Sequence, residues 1–159
     1  MIKTLRFFQV LMLVLWLGGM FFFGAILAPS AFQSLPNQRI AGNLVSLTLG
    51  RLSLLSGVAL AIFFGLALLR SQLEKRVLTR GRRWMMVGVV LAFALVLYLR
   101  YGIDARMHEL RMTGNGIESL APDDPHRLEF DRLHRRSTAL FGLEFIAGLF
   151  VLRQFVVEE

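Results

Sequence analysis

A chain of 159 residues that is 55% hydrophobic, with a mean hydropathy of +0.59, is one domain long and too apolar for an ordinary soluble domain. Eighteen Lys and Arg against eleven Asp and Glu leave a formal charge of +7. Cysteine is absent, which excludes a disulfide scaffold, thiolate catalysis, iron–sulfur clusters and every cysteine-ligated metal site.

A helix needs about 20 mostly apolar residues to cross a hydrocarbon layer of roughly 30 Å. Four stretches meet that requirement, at approximately 7–28, 42–69, 84–101 and 138–157. The first follows a short basic segment, Lys3 and Arg6, as a secretory signal would. Its apolar run, however, is far longer than a signal's usual h-region, and Pro29 spoils the cleavage site after Ala28. A retained helix is therefore expected. The second begins near Ile40–Asn43 if Arg51 is carried into the membrane. The segment between the second and third runs, Arg70–Arg83, holds six basic residues against Glu74 alone, whereas 101–137 holds six Arg against seven acids. By the positive-inside rule the 70–83 loop and both termini are cytoplasmic. The charge excess thus reads as topology, with anionic lipid at Arg70–Arg83 as an added possibility and no need for nucleic acid.

The third helix should overrun the membrane until Thr113–Gly114–Asn115–Gly116 breaks it. The fourth should start early, with Asp124 as N-cap and Pro125 at the first helical position. The expected fold is an all-α, integral-membrane four-helix bundle, a single domain over 1–159, in which residues 102–137 form an extracytoplasmic helical hairpin extending helices three and four.

Several residues could carry function. Ser53, Gly57, Ala61 and Gly65 recur at every fourth position of the second helix, a small-residue stripe suited to close packing within the bundle or to a homo-oligomer seam. Arg51 and Glu144 both lie inside predicted spans. A lone intramembrane charge is costly, so the two are expected to pair, either structurally or as a ligand site. Arg100 and Asp104 sit four apart at the outer end of helix three, flanked by Tyr98 and Tyr101, as in an interfacial aromatic belt. Ser137, Phe141, Glu144 and Gly148 share one face of helix four, with His134 and Phe130 just before it. A cleft near the outer leaflet could collect Arg51, Glu144, Ser137, His134, Arg100 and Asp104. The three histidines, His108, His126 and His134, all fall outside the spans, so no pair could hold a haem in the bilayer, and His126 and His134, two turns apart, are too distant to share an ion alone; no cofactor or metal is assigned. No nucleotide-binding, hydrolase or zinc-protease motif occurs.

Trp16–Leu17–Gly18, the exit Pro29 to Phe32–Gln33–Ser34–Leu35–Pro36, and Phe130–Asp131–Arg132–Leu133–His134–Arg135–Arg136–Ser137 together resemble the four-span family typified by transmembrane protein 205, which has many bacterial relatives of unassigned function. The resemblance implies a multi-pass inner-membrane protein. Its eukaryotic members are associated with drug and platinum tolerance, which defines no biochemical activity. Three functions stay open: binding or passing a small ligand, lipid or cation through the outer cleft; a structural or assembly role through helix contacts; and metal- or haem-dependent redox chemistry.

Overall fold

The computed structural model describes residues 1–74, 79–112 and 117–157 and is helical throughout, apart from short connections. Four helices, α1 (Ile2–Ser34), α2 (Gln38–Glu74), α3 (Arg80–Arg111) and α4 (Pro125–Val157), are each long and apolar enough to cross a membrane. At 1.5 Å per residue, 33 residues extend about 50 Å, so each helix overruns a hydrocarbon layer of about 30 Å.

The helix boundaries follow from local chemistry. Pro36 forces the preceding residue out of the α region, and Leu35 is accordingly extended, with φ −89° and ψ 140°, which ends α1. Three starts carry side-chain caps: Asn37 Oδ1 accepts from the Arg39 amide at 2.7 Å, Thr79 Oγ1 from the Arg82 amide at 3.2 Å, and Asp124 Oδ1 from the His126 amide at 2.8 Å. The expected cap at Asp124 is thus present. The expected break at 113–116 lies outside the described residues; α3 ends just before it, at Arg111.

Two helices contain π-turns, Phe23–Leu27 in α1 and Leu99–Asp104 in α3. The first has an identifiable cause. Pro29 has no N–H to donate to the carbonyl four residues back, and the ladder widens just ahead of it. The second holds Arg100 and Asp104.

Neighbouring helices pack in a ring: α1 on α2, α2 on α3, α3 on α4 and α4 on α1. The α1–α2 and α3–α4 pairs are the most extensive, and α1/α3 and α2/α4 stand diagonally. The core is Leu13, Trp16 and Met20 of α1, Leu60, Phe63 and Ala67 of α2, Val89 and Val96 of α3, and Val151 and Phe155 of α4. Around it the lipid-facing surface is densely apolar, with Phe7, Val14, Phe21, Leu54, Leu91 and Ile146 among the exposed side chains. Water would not tolerate so large a continuous apolar surface on a monomer. The chain is a multi-pass membrane protein.

The small-residue stripe is not the seam of α2. The buried line is Ser56, Ala59, Leu60, Phe63 and Ala67, whereas Ala61 and Gly65 are exposed, Gly65 facing open space. Ser53 and Gly57 are half-buried, and Gly57 lies near Phe93 and Val96 of α3. The stripe thus flanks the helix contact, because the larger Leu60 and Phe63 carry more apolar area into the core than the small residues do.

Beyond the core, Leu99, Ile103 and Met107 of α3 pack on Phe130, Leu133 and Leu140 of α4. Arg106 clamps this extension by pairing with Glu129 at 2.8 Å and Glu109 at 2.8 Å. The α3–α4 hairpin is not free-standing, however. The first turns of α2 run beside it, with Arg111 Nη1 donating to the Gly42 carbonyl at 3.1 Å. At the opposite end Glu74 accepts from Arg70 at 2.7 Å and from Arg82 at 2.9 Å, tying α2 to α3.

Candidate functional site

The expected cleft divides into two places. Glu144 is in the core, 4% exposed, and its Oε1 accepts from the indole Nε1 of Trp16 at 3.0 Å; Trp16 itself is 1% exposed. Arg51 is exposed on α2, among the walls of a separate groove. The Arg51–Glu144 pair is therefore not formed. Both residues lie well inside their spans, but α2 and α4 are diagonal in the ring, and the face of α2 that carries Arg51 turns toward α3. A tryptophan in mid-span carries a donor that needs an acceptor when buried, and that is the signal by which Trp16 could have been found.

Gly148, one turn beyond Glu144, makes this hydrogen bond accessible. A Cβ on Gly148 would collide with Leu17 and lie 3.2 Å from the Trp16 ring, so α4 approaches α1 here only because residue 148 has no side chain. Ser137 is also buried on this side of α4, and Phe141 is half-buried with its ring 5.6 Å from that of Phe23. His134 is exposed and stacks on Phe130, with centroids 6.3 Å apart. It joins neither Glu144 nor Arg51.

The second place is a groove of about 760 Å³ between α2 and α3. On α2 its lining runs from Arg39 to Leu54 and on α3 from Arg100 to Arg111, with Met112 just beyond, so it occupies one half of the bundle and does not cross it. Four guanidinium groups line it, Arg39, Arg51, Arg100 and Arg111, against a single acid, Asp104. Arg100 and Asp104, both predicted site residues, therefore meet Arg51 here. No pattern in the sequence marks Arg39, Arg111 or His108 as part of such a site.

The arginines are held differently. Arg100 Nη1 donates to the Gly50 carbonyl at 2.6 Å, and its guanidinium lies 5.9 Å from the Tyr101 ring. Arg111 donates to the Gly42 carbonyl and lies 5.2 Å from the Phe130 ring on α4. Both are thereby fixed across the α2–α3 seam. Arg39 and Arg51 are exposed, and no salt bridge to either occurs among the described residues. Leu47 and Leu54, both exposed, give the same groove an apolar wall.

The three histidines stand apart: His108 on the groove, His126 at the start of α4 and His134 on Phe130. Among the described residues no group of three or more His, Cys, Asp or Glu is placed to hold a metal ion.

Comparison with known families gives a match. A family described as a domain of unknown function (DUF4149) matches residues 11–116, which includes α2, the groove and all but the start of α1. No curated protein and no solved structure matches the chain.

Proposed function

We propose that this chain, which belongs to the DUF4149 family, binds a membrane amphiphile with an anionic, phosphate-type head in the groove between α2 and α3. The observation that carries the reading is the charge of that groove: four arginines against one carboxylate, set directly beside exposed Leu47 and Leu54. Guanidinium groups present planar pairs of N–H donors that match phosphate oxygens, and an apolar wall alongside suits an acyl chain. A free metal or organic cation is disfavoured by the same net charge. Because the groove is confined to one end of the bundle, the reading is binding within one leaflet.

The full-length protein in lipid nanodiscs, titrated with a fluorescent anionic phospholipid, tests this. Arg51→Gln is expected to weaken binding on the order of tenfold, since a hydrogen bond to a charged group contributes about 1.5–3 kcal/mol. Arg153→Gln, on α4 away from the groove, should bind as the parent does. Unchanged binding in the Arg39→Gln/Arg51→Gln double variant overturns the reading.

The basic segment supports an inner-membrane orientation with both termini and the 70–83 loop in the cytoplasm, which puts the groove at the outer leaflet. A reporter fused after Arg76 is expected to remain cytoplasmic and one fused after Asp123 to be exported. The reverse pattern would move the groove to the inner leaflet. Exposed Arg80 supports a further role for this end in holding anionic lipid, while Arg70 and Arg82 are engaged by Glu74; Lys75 and Arg76 lie outside the described residues. Kinship with transmembrane protein 205 rests on Trp16–Leu17–Gly18 and the Phe130-to-Ser137 segment, the latter beyond the matched residues. It adds no activity to the reading.

A further inference from the structure

Within the groove, Asp104 is the group whose surroundings are least explained by a purely anionic ligand. It stands four residues after Arg100 on α3, and Arg111 is close enough to act on it electrostatically. Either arginine would be an ordinary salt-bridge partner. Neither takes that role: Arg100 donates to the Gly50 carbonyl at 2.6 Å and Arg111 to the Gly42 carbonyl at 3.1 Å. No hydrogen bond or salt bridge to the Asp104 carboxylate occurs among the described residues, although the residue is partly buried on the groove wall. A carboxylate withheld from neighbouring guanidiniums is available to a cation brought by the ligand.

Position along the groove orders the chemistry. α2 and α3 are antiparallel, with Gly50 beside Arg100 and Gly42 beside Arg111. Asp104 therefore lies between these two levels, nearer the helix ends than Arg51. Moving outward from the middle of the bundle, the groove presents apolar Leu54, then Arg51 and Arg100, then Asp104 with Asn43 and His108, and last Arg111 and Arg39 at the helix ends. An aminophospholipid has the same sequence along its length: acyl chain, phosphate, then a primary ammonium. We infer that the groove, read as an amphiphile site as above, selects a zwitterionic lipid head, with phosphate at Arg51 and a primary ammonium on Asp104. An ammonium supplies three N–H donors to a carboxylate, which a glycerol head or a trimethylated amine does not.

Competition among phosphatidylethanolamine, phosphatidylcholine and phosphatidylglycerol for the purified full-length chain, read by native mass spectrometry, separates the possibilities. The parent protein should retain phosphatidylethanolamine at least several-fold over the other two. Asp104→Asn should abolish that preference while still binding phosphatidylglycerol, and Asp104→Glu, which keeps the charge, should restore it. Equal retention of the three lipids by the parent protein overturns this inference and leaves the amphiphile reading standing. So does a preference that Asp104→Asn does not alter. Failure of all three lipids to bind, with Arg51→Gln indistinguishable from the parent, overturns both. If Asp104→Asn does not fold, the parent's own ranking decides.

Discussion

Trp16→Phe is expected to destabilise the protein by about 1–3 kcal/mol, and Glu144→Leu by a similar amount, while the double variant should be closer to the parent than either. Phe keeps most of the ring's apolar contact with the core but removes the indole N–H that Glu144 Oε1 accepts at 3.0 Å. The carboxyl group, 4% exposed, is then left buried without that donor. Glu144→Leu strands the opposite partner, the indole of Trp16. Removing both at once strands neither, and replacing a buried polar pair by apolar groups is often close to neutral. Thermal melting in one detergent gives the four corners of the cycle. A coupling of about 1–3 kcal/mol is expected for groups in direct contact. Additive losses would show that the hydrogen bond contributes nothing beyond its separate parts. Arg51→Met serves as the control. It should leave the melting midpoint in place, because Arg51 faces the groove and does not partner Glu144.

This cycle tests what the sequence pattern left undetermined. Hydropathy and length are enough to find four helices, because any 20-residue apolar stretch must satisfy its own backbone when water is absent. Pro36 and Asp124–Pro125 mark ends for equally local reasons. Rotation about the helix axis is harder. Successive residues of an α-helix are separated by about 100°, so the difference between the Ser53–Gly65 stripe and the Ser56–Ala67 seam is a rotation that residue spacing alone cannot choose. On α2 the choice falls to Leu60 and Phe63, which have more apolar surface to bury. The Arg51–Glu144 expectation failed in a related way. Depth along the helix can be read from the chain, but which helices are adjacent in the ring cannot, and these two residues lie on a diagonal pair. Arg100 and Asp104 were legible as interesting because they stand four apart at the outer end of a span, between Tyr98 and Tyr101. What they do was not legible, since the tie from Arg100 to Gly50 exists only after α2 and α3 have packed.

Gly148→Val should cost about 3 kcal/mol, and Gly148→Ala about 1 kcal/mol, the range for overfilling a packed interior. The first added carbon already overlaps Leu17 and lies 3.2 Å from the Trp16 ring, and both of those side chains are buried in the core. Leu17 can turn aside for a methyl group, but Val adds two stiff branches, so the helices must separate instead. Separation acts at the residue one turn earlier. Glu144 would be drawn away from Trp16, and the hydrogen bond that the cycle measures would weaken with it. The two effects are therefore non-additive: in a Gly148→Val background, Trp16→Phe should cost little more. With Trp84 replaced by Phe, so that Trp16 is the sole emitter, the fluorescence of the Val variant should also shift as the indole loses its acceptor. Gly142→Val is the matched control on the same helix, since nothing lies within 4 Å of a Cβ built there. If the two valine variants melt together, close approach of α4 to α1 is not what holds the Trp16–Glu144 pair, and the core must owe its geometry to the α1–α2 and α3–α4 contacts alone.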